Sequence, residues 1–103
     1  DSLLATQHSF LSVEALNLKA KILTEKHKFS EAAEVYELAI NQFSDETNTD
    51  RSLFQLGVLY FNYLNKSSTA IEKFTKLLRS YPSSVYCVET RGLIQKARNQ
   101  NMP

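Results

Sequence analysis

Apolar residues recur at helical spacing along most of the chain, and the clearest run is LFQLGVLYFNYLNKSSTAIEKFTKLLRSYP, residues 53 to 82. Leu53, Leu56, Tyr60 and Leu64 share one stripe of a helix, with Gly57 beside it where a neighbouring backbone can approach closely. Phe54, Val58 and Phe61 recur on a second face, so apolar surface covers more than half the circumference. Such a helix is normally covered on two sides. Residues 65–69 are a polar run, and Thr69 followed by Glu72 has the spacing of a capping box that opens a new helix. Ala70, Phe74, Leu77 and Leu78 then form a stripe with charges between them, and Pro82 places the end of that helix near Ser80. The pattern predicts two antiparallel helices joined by a tight turn.

A second copy stands upstream. Residues 13–26 carry Leu16, Ala20 and Leu23 on one stripe, HKFS makes a turn, and Ser30 is placed to cap a helix whose first turn holds Glu31 and Glu34. Ala32, Tyr36, Ala39 and Ile40 form its stripe, continued by Phe43. With Ala32 aligned on Ala70, Tyr36 matches Phe74, Ala39 matches Leu77 and Ile40 matches Leu78. Residues 44–50, all polar, predict a surface loop with Asp50 placed to cap the next helix. Residues 2–11 predict a lead-in helix with Leu3, Leu4, Phe10 and Leu11 inward. After Pro82, Ser83 and Ser84 are placed to cap a last helix running to about Asn99, in which Gly92 falls where Gly57 fell. No partner helix follows before Pro103, so this one is expected to close the array, with Arg91, Gln95 and Arg98 on a polar outer face.

A helix with Leu53, Leu56, Gly57 and Tyr60, followed by one with Ala70, Phe74, Leu77 and a closing Pro82, resembles the tetratricopeptide repeat (TPR), a helical hairpin of roughly 34 residues. Two departures stand out. The family spacing from its Gly to its central Ala would put that Ala at Thr69, so the turn carries one extra residue. The first copy has Ala20 for the Gly and Ser44 for the Pro. The expected fold is all-α, with TPR-like antiparallel hairpins stacked in a right-handed array of about two and a half repeats. It forms a single domain over 1–103: a lead-in helix at 1–12, one repeat at 13–46, a second at 50–84, and a capping or half-repeat helix at 85–99.

The resemblance implies that the first helices of successive repeats line a concave groove that takes a peptide or a partner subunit. Its groove positions map onto Asn17, Lys21 and Thr24, then Phe54, Val58, Phe61 and Asn62, then Tyr86 and Leu93. Phe54 and Phe61 either stand in that groove or pack against the flanking first helices, and the sequence leaves both open. The clamp of lysines, asparagines and an arginine by which some TPR domains hold chaperone tails is not reproduced at these positions. Residues 70–84, AIEKFTKLLRSYPSS, are similar to repeats of bacterial cell-envelope proteins, including BamD-type outer-membrane assembly lipoproteins and the periplasmic coordinators of the Tol-Pal system. That likeness implies a periplasm-facing scaffold, with a lipid anchor outside this chain, that binds assembly subunits or unfolded outer-membrane substrates. The rival expectations are a self-associating structural module and a cytoplasmic TPR adaptor.

Composition narrows the function. The 103 residues are 43% apolar with two Gly and two Pro, which suits one folded helical domain. No run approaches the ~20 continuous apolar residues of a membrane span. The chain opens without Met, so a processed leader and a trimmed start are both open. A net charge of +1 argues against a nucleic-acid partner, which calls for a basic surface. That charge is uneven: residues 1–65 hold nine acidic and five basic side chains, a net of −4, and residues 66–103 hold two and seven, a net of +5. Ends of opposite sign favour steering or head-to-tail association. Cys87 has no partner for a disulfide. His8 and His27 lack zinc-ligand spacing, no Gly-rich loop exists, and Glu31, Glu34 and Glu37 read as a solvated face. The expectation is a non-enzyme with no cofactor and no metal.

Overall fold

The computed structural model describes residues 12–44 and 48–101, which form five helices: α1 (Val13–Glu25), α2 (Phe29–Gln42), α3 (Thr49–Asn62), α4 (Ser67–Ser80) and α5 (Cys87–Asn101). The expected lead-in helix lies outside the described residues, apart from Ser12. Each helix packs on the next along the chain, and α1 also touches α3. Links this short between packed neighbours make them antiparallel. The result is an all-helical repeat array of about two and a half hairpins, as the periodicity predicts.

Both hairpin turns close through the backbone. His27 (φ 63°) and Asn65 (φ 56°) adopt the left-handed conformation. Behind them Lys28 N donates to Leu23 O and Lys66 N to Tyr60 O, each at 2.8 Å, so the chain folds back over the last turn of the preceding helix. The first link spans residues 26–28 and the second 63–66, which is the extra turn residue that the spacing implied. Because the backbone makes the closure, α2 and α4 start at once, with Lys28 and Lys66 at their caps and no side-chain cap bond. This corrects two expectations: Ser30 and the Thr69–Glu72 pair lie inside their helices instead of capping them.

Of the other helix starts, α1 has a side-chain cap bond and the cap of α3 has none. The Ser12 hydroxyl accepts from Ala15 N at 3.1 Å at the head of α1. Asn48, not Asp50, stands at the cap of α3, in the left-handed region at φ 78°. Asp50 lies in the first turn, where its carboxylate accepts from Arg51 N at 2.9 Å and from the Ser84 hydroxyl, tying α3 to the approach to α5. Helix α5 begins at Cys87, later than expected. The Ser84 hydroxyl accepts from Tyr86 N at 3.1 Å before that helix starts.

The core sits between α3 and its neighbours. Leu53, Leu56, Phe74 and Leu77 are buried there. Gly57 is beside the stripe as expected, but what approaches it is an aromatic ring and not a backbone: a Cβ at Gly57 would stand 2.3 Å from Phe74 Cε1.

A polar link crosses three helices. Glu37 on α2 accepts from the Tyr60 hydroxyl of α3 and from Lys73 Nζ of α4, both at 3.1 Å. Glu37 therefore leaves the solvated acidic face expected for it. Burial first, then the Glu37 carboxylate, push the Tyr60 hydroxyl up to about 12 from 10.0. The folded state thus holds this proton more tightly than the unfolded chain. Its contribution to stability is full below about pH 10 and is lost as pH rises towards about 12. In urea titrations over that window, Tyr60→Phe is expected to lose less stability with rising pH than the parent chain.

Candidate functional site

Helices α1 and α3 are the first helices of successive hairpins, and a trough of about 510 Å³ opens between them. Helix α1 contributes Asn17, Leu18, Lys21 and Thr24, and α3 contributes Arg51, Gln55 and Val58, each set at the spacing of one helix face. Tyr36 of α2 reaches the trough, with Glu14 and Asn48 at one end and Glu25 and Tyr63 at the other. The end at Glu14 and Asn48 is polar, and the other brings Val58 and Tyr63 beside Thr24 and Glu25, so it is the more apolar of the two. Tyr63 is 52% exposed and its ring stacks on Phe29 at 4.3 Å, so an open aromatic face marks the apolar end.

Of the residues mapped from the resemblance, Asn17, Lys21, Thr24 and Val58 line this trough and the others do not. Phe54 and Phe61 are buried in the core, at 6% and 9% exposure, which corrects the reading that sets them on an open surface. Phe54 and Phe61 of the second apolar face of α3 are covered by their own chain, while Val58 borders the trough. The Phe54 ring stacks on Tyr86 at 4.8 Å and meets Phe74 at 6.2 Å. Tyr86 and Leu93 are half-buried against the same core, and Asn62 is exposed outside the trough.

Asn17 lines the trough, but its amide is already engaged. Its Oδ1 accepts from the Ser52 hydroxyl at 2.6 Å, and its Nδ2 faces Asn48 O at 3.5 Å. Asn48 in turn donates from Nδ2 to Glu14 Oε2 at 2.9 Å, which holds the Glu14 carboxyl below its usual range. Asn17 thus clasps α1 to α3. Ser52 is fully buried, and Asn17→Ala leaves its hydroxyl only the longer contact to Asn48 O at 3.5 Å, so the change is expected to cost about 1 kcal/mol in a urea melt. A variant as stable as the parent would remove the clasp role.

Arg51, Gln55, Tyr36 and Tyr63 were not singled out from the sequence. The signal for the α3 pair is the wedge Arg51, Gln55 and Val58, whose spacing defines one face. The stronger apolar spacing of Phe54, Val58 and Phe61 drew attention one position away. Tyr36 carries no such signal, because an aromatic in a helix stripe reads as core.

These parts define a helical repeat with a trough between first helices. Residues 51–84 match the family model of the tetratricopeptide repeat, and that segment takes in most of α3 and all of α4. Repeats of this family generally mediate protein–protein interaction and are not catalytic. No curated protein matches the chain. No helix among the described residues is long and apolar enough to cross a membrane.

Proposed function

We propose that the chain is an interaction scaffold that holds an extended segment of a protein partner in the trough between α1 and α3. The observation that carries this reading is the trough itself, open along its length, with Asn48 and Arg51 towards one end and Val58 and Tyr63 at the other. Val58 and Tyr63 at one end and the cationic Arg51 towards the other suit a peptide read by side-chain type along an extended backbone. The test is selection of short displayed peptides on the full chain, with binding mapped by amide shifts in ¹⁵N–¹H spectra. Shifts concentrated on the trough faces of α1 and α3, and binding lost in a folded Val58→Lys chain, are expected. Undiminished binding to Val58→Lys, or shifts centred on α5, would overturn the reading.

A second reading, self-association, draws on the opposite net charges of the two halves and on Val85 and Val88, which are 87% and 79% exposed at the start of α5. Light scattering over concentration and salt separates the two: a monomer at all conditions removes it. An envelope-assembly setting rests on the likeness of residues 70–84 alone. Recovery of outer-membrane protein segments among the selected peptides would support that setting over a cytoplasmic adaptor.

A further inference from the structure

We infer that the open face of α5 docks on α2 of a second copy of this chain, antiparallel, with Leu38 of one copy over Gly92 of the other. This rests on the self-association reading above and names the two faces that meet.

The face of α5 is the first observation. Cys87, Thr90, Ile94 and Ala97 turn inward, which leaves Val88, Gly92, Gln95 and Asn99 exposed along a stripe on the opposite side of the helix. Val88 is 79% exposed, and Val85, just before the helix, is 87% exposed. With Gly92 aligned on Gly57, Val88 falls on Leu53 and Gln95 on Tyr60. On α3 the Phe74 ring of α4 lies over the glycine. On α5 nothing lies within 4 Å of a Cβ built at Gly92, so the place where a second helix can come close stands open.

Charge decides the occupant and is the second observation. Arg91 and Arg98 flank the stripe, so a second α5 set against it would bring like charges together. Helix α2 carries the opposite sign on an exposed stripe of its own, Glu31, Glu34 and Leu38, the last 40% exposed. Among the described residues none of Glu31, Glu34, Arg91 and Arg98 makes an ion pair. The direction follows from the spacing. With Leu38 over Gly92 in antiparallel helices, the turns that carry Glu34 and Glu31 run alongside the turns that lead to Arg98. In parallel helices both carboxylates would run back along Val88 and Val85, which offer them no partner. The two faces lie on different helices of one chain, so the contact joins copies head to tail.

The test is sedimentation and light scattering of the full chain over concentration and salt, with Leu38→Lys and Gly92→Lys made separately and checked by circular dichroism for unchanged folding. The parent chain is expected to grow in mass with concentration and to dissociate as salt rises. Each variant alone should associate about tenfold more weakly. Mixed, the intact α5 of the Leu38→Lys chain and the intact α2 of the Gly92→Lys chain remain complementary, so the two should form a one-to-one complex that grows no further. Parent association that Leu38→Lys leaves unchanged, or a mixture that stays monomeric, overturns this contact and leaves self-association standing; disruption by Gly92→Lys alone would then set α5 against a second α5. A parent chain that is a monomer at every condition overturns the contact and the self-association reading together, and leaves the α5 face to a helix of a different protein.

Discussion

Phe54→Ala is expected to lower the stability of the chain by about 3–5 kcal/mol. The side chain is 6% exposed and joins two aromatic contacts, a stack on Tyr86 at 4.8 Å and a tilted contact with Phe74 at 6.2 Å. Truncation removes a large apolar surface from the place where α3 meets α4 and the approach to α5, and leaves a cavity that helices fixed by tight turns cannot close. Domains of this size are stable by only about 5–15 kcal/mol, so the variant should stand near its unfolding limit. Its melting temperature by circular dichroism should fall by roughly 4–8 °C for each kcal/mol lost. The Tyr86→Ala change in the same background should cost less than it does alone, because the ring it stacks on is gone. An unchanged melting temperature in Phe54→Ala would restore Phe54 to an open surface. That outcome would move the candidate binding face from α1 and α3 to α3 and α5.

How far the sequence reaches can be judged from these same residues. Stripes such as Leu53, Leu56 and Tyr60, or Ala70, Phe74 and Leu77, report the helix and its inward face directly, because burial of one face at a period of 3.6 is what makes a helix stable. The helix starts were harder to read. Ser30, Thr69 and Asp50 all have capping chemistry, yet left-handed residues at His27, Asn65 and Asn48 moved each start upstream. A left-handed histidine or asparagine has no pattern that separates it from a polar loop residue. At the trough, Val58 was legible from helix face, whereas Lys21 came from the groove positions that the resemblance implies. Whether Phe54 is core or surface depends on how closely Tyr86 approaches, a long-range fact that a helical wheel does not contain. Tyr36 was read as a stripe residue, which it is. That its side chain also borders the trough follows only from how α1, α2 and α3 meet.

Gly57→Ala should destabilise the chain by about 2 kcal/mol, although the same exchange in a free helix would stabilise it by about 1 kcal/mol. The sign is set by Phe74. A methyl carbon at Gly57 would lie 2.3 Å from Cε1 and 2.7 Å from Cδ1 and Cζ of that ring, well inside contact distance. Phe74 is fully buried, so its ring cannot swing into solvent, and α4 must move off α3 to make room. Gly92, at the matching point of α5, gives the control. Nothing lies within 4 Å of a Cβ built there, so Gly92→Ala should gain about 1 kcal/mol from helix propensity alone. Urea midpoints followed by circular dichroism would read both, and opposite signs are expected. Adding Phe74→Leu to the Gly57→Ala chain should cost less than adding it to the parent, since the smaller side chain relieves the overlap. If Gly57→Ala matched Gly92→Ala in sign, the ring would not sit on the glycine, and the close seating of α4 on α3 would have to be redrawn.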